Sequence, residues 1–203
     1  STLNIYYKFM TVQVFYKNKD NSNNLILFVE EGFKINGIKK HISDAEFSYI
    51  SDLLKNSDLK KNLLFFEVNS KKTIFLVSIK NNIETSDIES LGAEFHGFID
   101  YSKKSEYTVN SDSINGKYEN FIGYFLHGLK LKSYKFNLYK SKKNTKPISI
   151  NVIGEKNKFT VKNELRFKAI ENGTFFARDL VSEPPNVLNP KEYVNRLLKL
   201  RKL

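Results

Sequence analysis

Histidine is the side chain best suited to proton transfer and metal binding near neutral pH, and this chain of 203 residues carries three: His41, His96 and His127. No two stand at a metal-ligand spacing such as His-x3-His. His96 and His127 fall among aromatic residues in stretches with helical spacing, so all three read as packed or surface histidines. The chain has no cysteine, which removes disulfides, thiolate nucleophiles and zinc-thiolate sites from consideration. Its nine glycines are scattered, and neither a Gly-x-Gly-x-x-Gly loop nor a Walker pattern is present. A Gly-x-Ser-x-Gly nucleophile elbow is missing too. The acidic pairs Asp44/Glu46 and Asp87/Glu89 stand at predicted helix starts, where negative charge suits the helix dipole. Arg178-Asp179 is the one polar pair embedded in an apolar helix end. It reads as an ion pair or cap that clamps that helix against a neighbouring domain. No residue is assigned a catalytic, metal-binding or cofactor-binding role.

Net charge is +11, which raises the possibility of a nucleic-acid partner. Yet only Arg166, Arg178, Arg196 and Arg201 among the 33 basic residues are arginine, the better fork for phosphate and base edges. The lysines spread along the whole chain, including the loop Lys140-Ser-Lys-Lys143, and read as a solvated surface. No apolar run approaches the roughly 18 residues of a spanning helix, and no secretory signal is recognisable. A cytoplasmic protein without a membrane partner is expected.

The elements follow from periodicity. Residues 11–16 alternate as a half-buried strand, and 24–29 form a continuous apolar run typical of a buried one. The turn-rich connector between them suggests a hairpin. Ser43-Asp44-Ala45-Glu46 is a capping box opening a helix with Phe47, Ile50 and Leu54 inward. Strands 63–68 and 73–79 are joined by a short turn, again as a hairpin. A helix from Thr85 to about Tyr101 carries Ile88, Leu91, Phe95 and Phe98. Residues 106–109 form a short strand, followed by a helix over 117–131 with Phe121, Tyr124, Phe125 and Leu129 inward. Residues 133–147 read as an exposed loop, and 148–153 as the last strand, ended by Gly154.

A long helix spans 160–181, with Leu165, Ala169, Phe176 and Leu180 as its inward face. Gly173 either kinks it or permits close packing. Pro184 and Pro185 stop it. Asn189-Pro190-Lys191-Glu192 restarts a helix, with Asn as cap and Pro at the first position. Its stripe of Tyr193, Leu197 and Leu198 needs a cover. The sum is an α/β fold: a mixed sheet sandwiched by helices, then a linker helix.

Two blocks resemble leucyl aminopeptidases. In the first, Gly128, Leu131, Tyr134, Phe136, Tyr139 and Lys140 fall at the spacing Gly-x-x-Leu-x-x-Tyr-x-Phe-x-x-Tyr-Lys. The second, more specific block runs from Asn172 to Tyr193, centred on Ala177-Arg-Asp-Leu-Val-Ser-Glu-Pro-Pro-Asn-Val-Leu-Asn-Pro190. Leu91-Gly-Ala-Glu-Phe95 adds weaker support. The resemblance implies a macro-domain-like N-terminal domain over 11–158, a linker helix over 159–181 and the first segment of a catalytic domain over 182–203. Residues 1–10 are expected to be a leader or an added segment, with Met10 as the candidate native start. It further implies that two divalent metals, zinc or manganese, activate a water for attack on the N-terminal peptide bond. The ligands and the Asn-Thr-Asp-Ala-Glu-Gly-Arg motif that carry this chemistry have no counterpart here and are expected beyond Leu203. The expected role is therefore non-catalytic: assembly of a homo-oligomer (a hexamer by resemblance), partnership with the chain's own catalytic domain, and control of peptide access. The alternative is a Lys-rich nucleic-acid-binding module.

Overall fold

The computed structural model describes residues 12–19, 23–102, 104–134, 147–156 and 160–200. Among them, six strands form one sheet: β1 (Val12–Tyr16), β2 (Asn24–Glu30), β3 (Leu63–Glu67), β4 (Thr73–Ile79), β5 (Glu106–Asn110) and β6 (Ile148–Ile153). Their spatial order is β1-β6-β5-β2-β4-β3. All neighbours pair in parallel except β3, an antiparallel edge strand hairpinned to β4. The hairpin expected between β1 and β2 does not form: β1 pairs with β6, and β2 lies between β4 and β5. The burial patterns explain why. β2 is buried along nearly its whole length, as a central parallel strand must be, while β1 is largely exposed, as an edge strand can be.

The described residues hold five α-helices, of which the first three cover the sheet: α1 (Asp44–Leu54), α2 (Thr85–Ser102), α3 (Phe121–Lys132), α4 (Val161–Ser182) and α5 (Pro190–Leu200). The capping box of α1 is complete: Ser43 Oγ accepts from Glu46 N–H, and Glu46 Oε2 accepts from Ser43 N–H. Alternation along the strands divides the core in two. On one face Ile26, Phe28, Phe75, Val109 and Ile150 pack beneath α2 and α3. On the other Leu25, Leu27, Ile74 and Leu76 pack against Ile50 and Leu54 of α1. Phe28 meets Phe121 and Phe125 edge-on, and Phe75 meets Phe95 likewise.

Two glycines set the spacing of α2 and α3. A Cβ on Gly92 would lie 1.9 Å from the Phe125 carbonyl oxygen, and one on Gly128 would lie 1.9 Å from that of Glu89. The helices therefore touch backbone to backbone at two reciprocal points. α3 begins at Phe121, later than the pattern suggests, because Asn120 adopts a left-handed conformation. Most of the loop expected over 133–147 lies outside the described residues.

The inward face of α4 also differs from the expected one. Phe167 and Glu171 are its buried residues, whereas Leu165 is 62% exposed and Ala169 is exposed as well. Phe176 and Leu180 are half-buried. The helix docks along one narrow strip of α3, and that strip offers a charged partner, which apolar spacing cannot anticipate. Gly173 has nothing within 4 Å of an added Cβ, so close packing is not its reason.

Candidate interdomain junction

Open α/β sheets hold ligands beyond the carboxyl ends of their parallel strands. Here the polar groups at those ends bind one another. Asp112 accepts from the backbone N–H groups of Glu155 and Lys156, both at 2.9 Å. Burial alone would raise its carboxyl, but those two bonds, together with the charges of His41 and Lys156, hold Asp112 below its ordinary value. Ser111 Oγ donates to the Ile153 carbonyl, and Ser113 Oγ accepts from Phe28 N–H. The Asn110 amide meets His41 Nδ1 at 3.2 Å. Burial, then the charge of Lys40, lowers the His41 pKa. Gly154, at φ +92°, leaves no room for a side chain: its Cβ would stand 2.6 Å from Ser111 Oγ. The loops after β5 and β6 are thus stitched to each other.

The other two histidines are buried in helices, His96 in α2 and His127 in α3. Among the described residues no group of three or more His, Asp or Glu side chains is disposed to hold a metal. The two-metal centre implied by the resemblance does not fit the residues described, and no chemical step is derived through it.

The most organised polar structure lies where α4 meets α3. Glu171, 2% exposed, places Oε1 2.9 Å from His127 Nδ1 and Oε2 3.5 Å from Lys130 Nζ. Phe167, one turn earlier on α4, packs edge-on against Tyr124 and tilted against His127. Two turns beyond Glu171, Arg178 Nη1 donates to the Leu131 carbonyl at 2.6 Å, satisfying one of the orphan carbonyls at the end of α3. The same guanidinium lies 5.5 Å from the Tyr134 ring centroid. Tyr134 stacks on Phe175 and donates its hydroxyl to Asp179 Oδ1 at 2.7 Å. Burial, then that carboxylate, pushes the Tyr134 phenol up to about 12.

Arg178 and Asp179 therefore act as a clamp, as their position suggested, but not as an ion pair with each other. Both reach from α4 to the end of α3. Glu171 was not singled out by sequence, and Tyr134, Glu183 and Arg196 stood there only in the family-like blocks or among the four arginines, without a role at this junction. A carboxylate one turn from Phe167 was the only available signal for Glu171.

The chain then bends. α4 ends at Ser182, and the Pro184 carbonyl accepts from Val187 and Leu188 N–H groups. Asn189 caps α5 as expected, its Oδ1 accepting from Glu192 N–H at 2.9 Å. Glu183, at the bend, has a fully buried side chain that accepts from Arg196 Nη1 at 2.8 Å. Arg196 Nε donates to Glu192 at 3.0 Å. Outward on α5, Tyr193, Val194, Leu197 and Leu198 stay 40–52% exposed.

No family model matches the chain. A probable cytosol aminopeptidase of Agrobacterium fabrum (strain C58 / ATCC 33970) is 38% identical over 85 residues, a stretch covering 39% of this chain and 17% of that protein. Part of this chain is homologous to cytosol aminopeptidases. The chain spans less than a fifth of that relative's length. A mutant of tomato leucine aminopeptidase superposes with a TM-score of 0.68 at 15% identity, over 94% of this chain and 42% of that one. The bottromycin maturation enzyme BotP, in complex with Mn, superposes at 0.61 with 13% identity, over 88% of this chain and 36% of its own. The fold is that of the leucyl aminopeptidase N-terminal region, a six-stranded mixed sheet flanked by helices. The blocks that carry the resemblance to aminopeptidases in sequence also meet in space. Gly92 abuts α3, Gly128 abuts α2, and Tyr134 is gripped by Arg178 and Asp179.

Proposed function

We propose that this chain is the non-catalytic N-terminal part of a two-metal leucyl aminopeptidase, an enzyme that releases N-terminal amino acids from peptides. In this reading residues 11–158 form the N-terminal domain, 159–181 the linker helix and 182–203 the opening of the catalytic domain. The work of the chain is to hold that domain in place, to support a homo-oligomer (a hexamer by family resemblance) and to shape access to the active site. Zinc or manganese would be bound by residues downstream of Leu203. The relatives named cytosol aminopeptidases support a cytoplasmic location in this reading.

The observation that carries the reading is the apolar stripe of α5. Tyr193, Val194, Leu197 and Leu198 form one face of a capped helix that is tied to the bend after α4 by Arg196 yet uncovered. A continuing catalytic domain supplies the cover that such a face requires. No helix among the described residues is long and apolar enough to cross a membrane. The test is turnover of a leucine amide substrate with added zinc or manganese. The chain alone is expected to be inactive and the chain extended by its downstream reading frame active. Turnover by residues 1–203 alone would overturn the proposal.

A further inference from the structure

We infer that Arg196 is a positioning residue, which through Glu183 fixes the direction of α5 relative to the α/β domain. Proline at positions 184 and 185 stops α4 but does not choose where the chain goes next. The side chain of Glu183 is fully buried although Ser182, Pro185 and Asn186 around it are exposed. A carboxylate is left without water only where a partner compensates it, and here the Arg196 guanidinium arrives from two turns into α5. Its Nε is held at the same time by Glu192, one turn back on α5. A single planar fork thus joins the bend to the helix beyond it, a geometry that lysine does not reproduce.

The connection continues inward. Asp179 lies one turn before Glu183 on α4 and accepts from Tyr134 at the end of α3. Burial, then the negative charge of Glu183, raises the Asp179 carboxyl; the Tyr134 bond and the Arg196 charge oppose this. Tyr134 and Asp179 thus tie α4 to α3, and Glu183, Arg196 and Glu192 tie the bend to α5, two successive links in a chain of polar contacts. In the aminopeptidase reading, on which this consequence rests, the chain sets the angle at which the catalytic domain is presented.

The absence of cysteine makes a distance measurement direct. Spin labels at Ser48→Cys on α1 and Lys199→Cys on α5 report the angle. The parent is expected to give one narrow distance distribution. Arg196→Met and the isosteric Glu183→Gln are expected to lose it, Arg196→Lys to recover it in part, and Glu192→Gln, which keeps the Glu183 bond, to stay narrow. Unchanged distributions in both Arg196→Met and Glu183→Gln would overturn the proposal, and Glu183→Gln decides the matter if Arg196→Met fails to fold. In the extended protein, Arg196→Met is expected to lower kcat/KM, with partial rescue by lysine. An inactive extended parent would sink the aminopeptidase reading and leave the distance result standing.

Discussion

Glu171 sits almost without water between His127 and Lys130. A carboxylate in that position contributes less net stability than its short distances suggest, because desolvation offsets attraction. Its removal is another matter, since it strands two donors. Glu171→Ala is expected to cost about 3 kcal/mol, the low end for breaking a buried pair, because Lys130 can turn toward solvent. Phe167 and Glu171 are the buried residues of α4, so the loss should appear there first. Amide exchange should accelerate in α4 and not in β2 or β4; equal acceleration throughout would contradict this assignment. The pair was invisible in sequence because 44 positions separate its members, and a charged residue on a helix ordinarily reads as solvent-facing.

Glycines divide sharply by what their elements demand. At Gly92 and Gly128 the backbone of the neighbouring helix occupies the place of a Cβ. Gly92→Ala or Gly128→Ala must push α2 and α3 apart, at a cost of at least about 1–3 kcal/mol. Gly173 in α4 has open space around it, and Gly173→Ala should stabilise the chain by about 0.5–1 kcal/mol through helix propensity. Chemical denaturation of the three variants checks both signs, and a destabilising Gly173→Ala would point to a constraint the isolated chain does not reveal. At this scale the sequence was informative. The capping box of α1, the β3–β4 hairpin, the Pro-braked end of α4 and the Asn cap of α5 stand where local chemistry put them. The β1–β2 hairpin failed because a polar connector suits a tight turn and a long crossing equally well.

For the molecule as a whole, the question is what lies against α5. Leu198 is 52% exposed, so Leu198→Lys should alter the stability of this chain by no more than about 0.5 kcal/mol. In the extended protein the same change should destabilise markedly, because the cover would then bury a charge. Thermal unfolding of both forms separates the two outcomes, and equal effects would argue against a cover on this face. The sequence by itself determined the order and type of the elements, the absence of local catalytic motifs and the likeness to aminopeptidases. These depend on neighbours within a few residues, where periodicity, caps and breakers act. Only the tertiary structure decided which strands pair, which face of α4 turns inward and how Tyr134, Glu183 and Arg196 connect three helices. Those outcomes depend on groups far apart in the chain, whose burial is favourable only once the sheet and helices have brought them together.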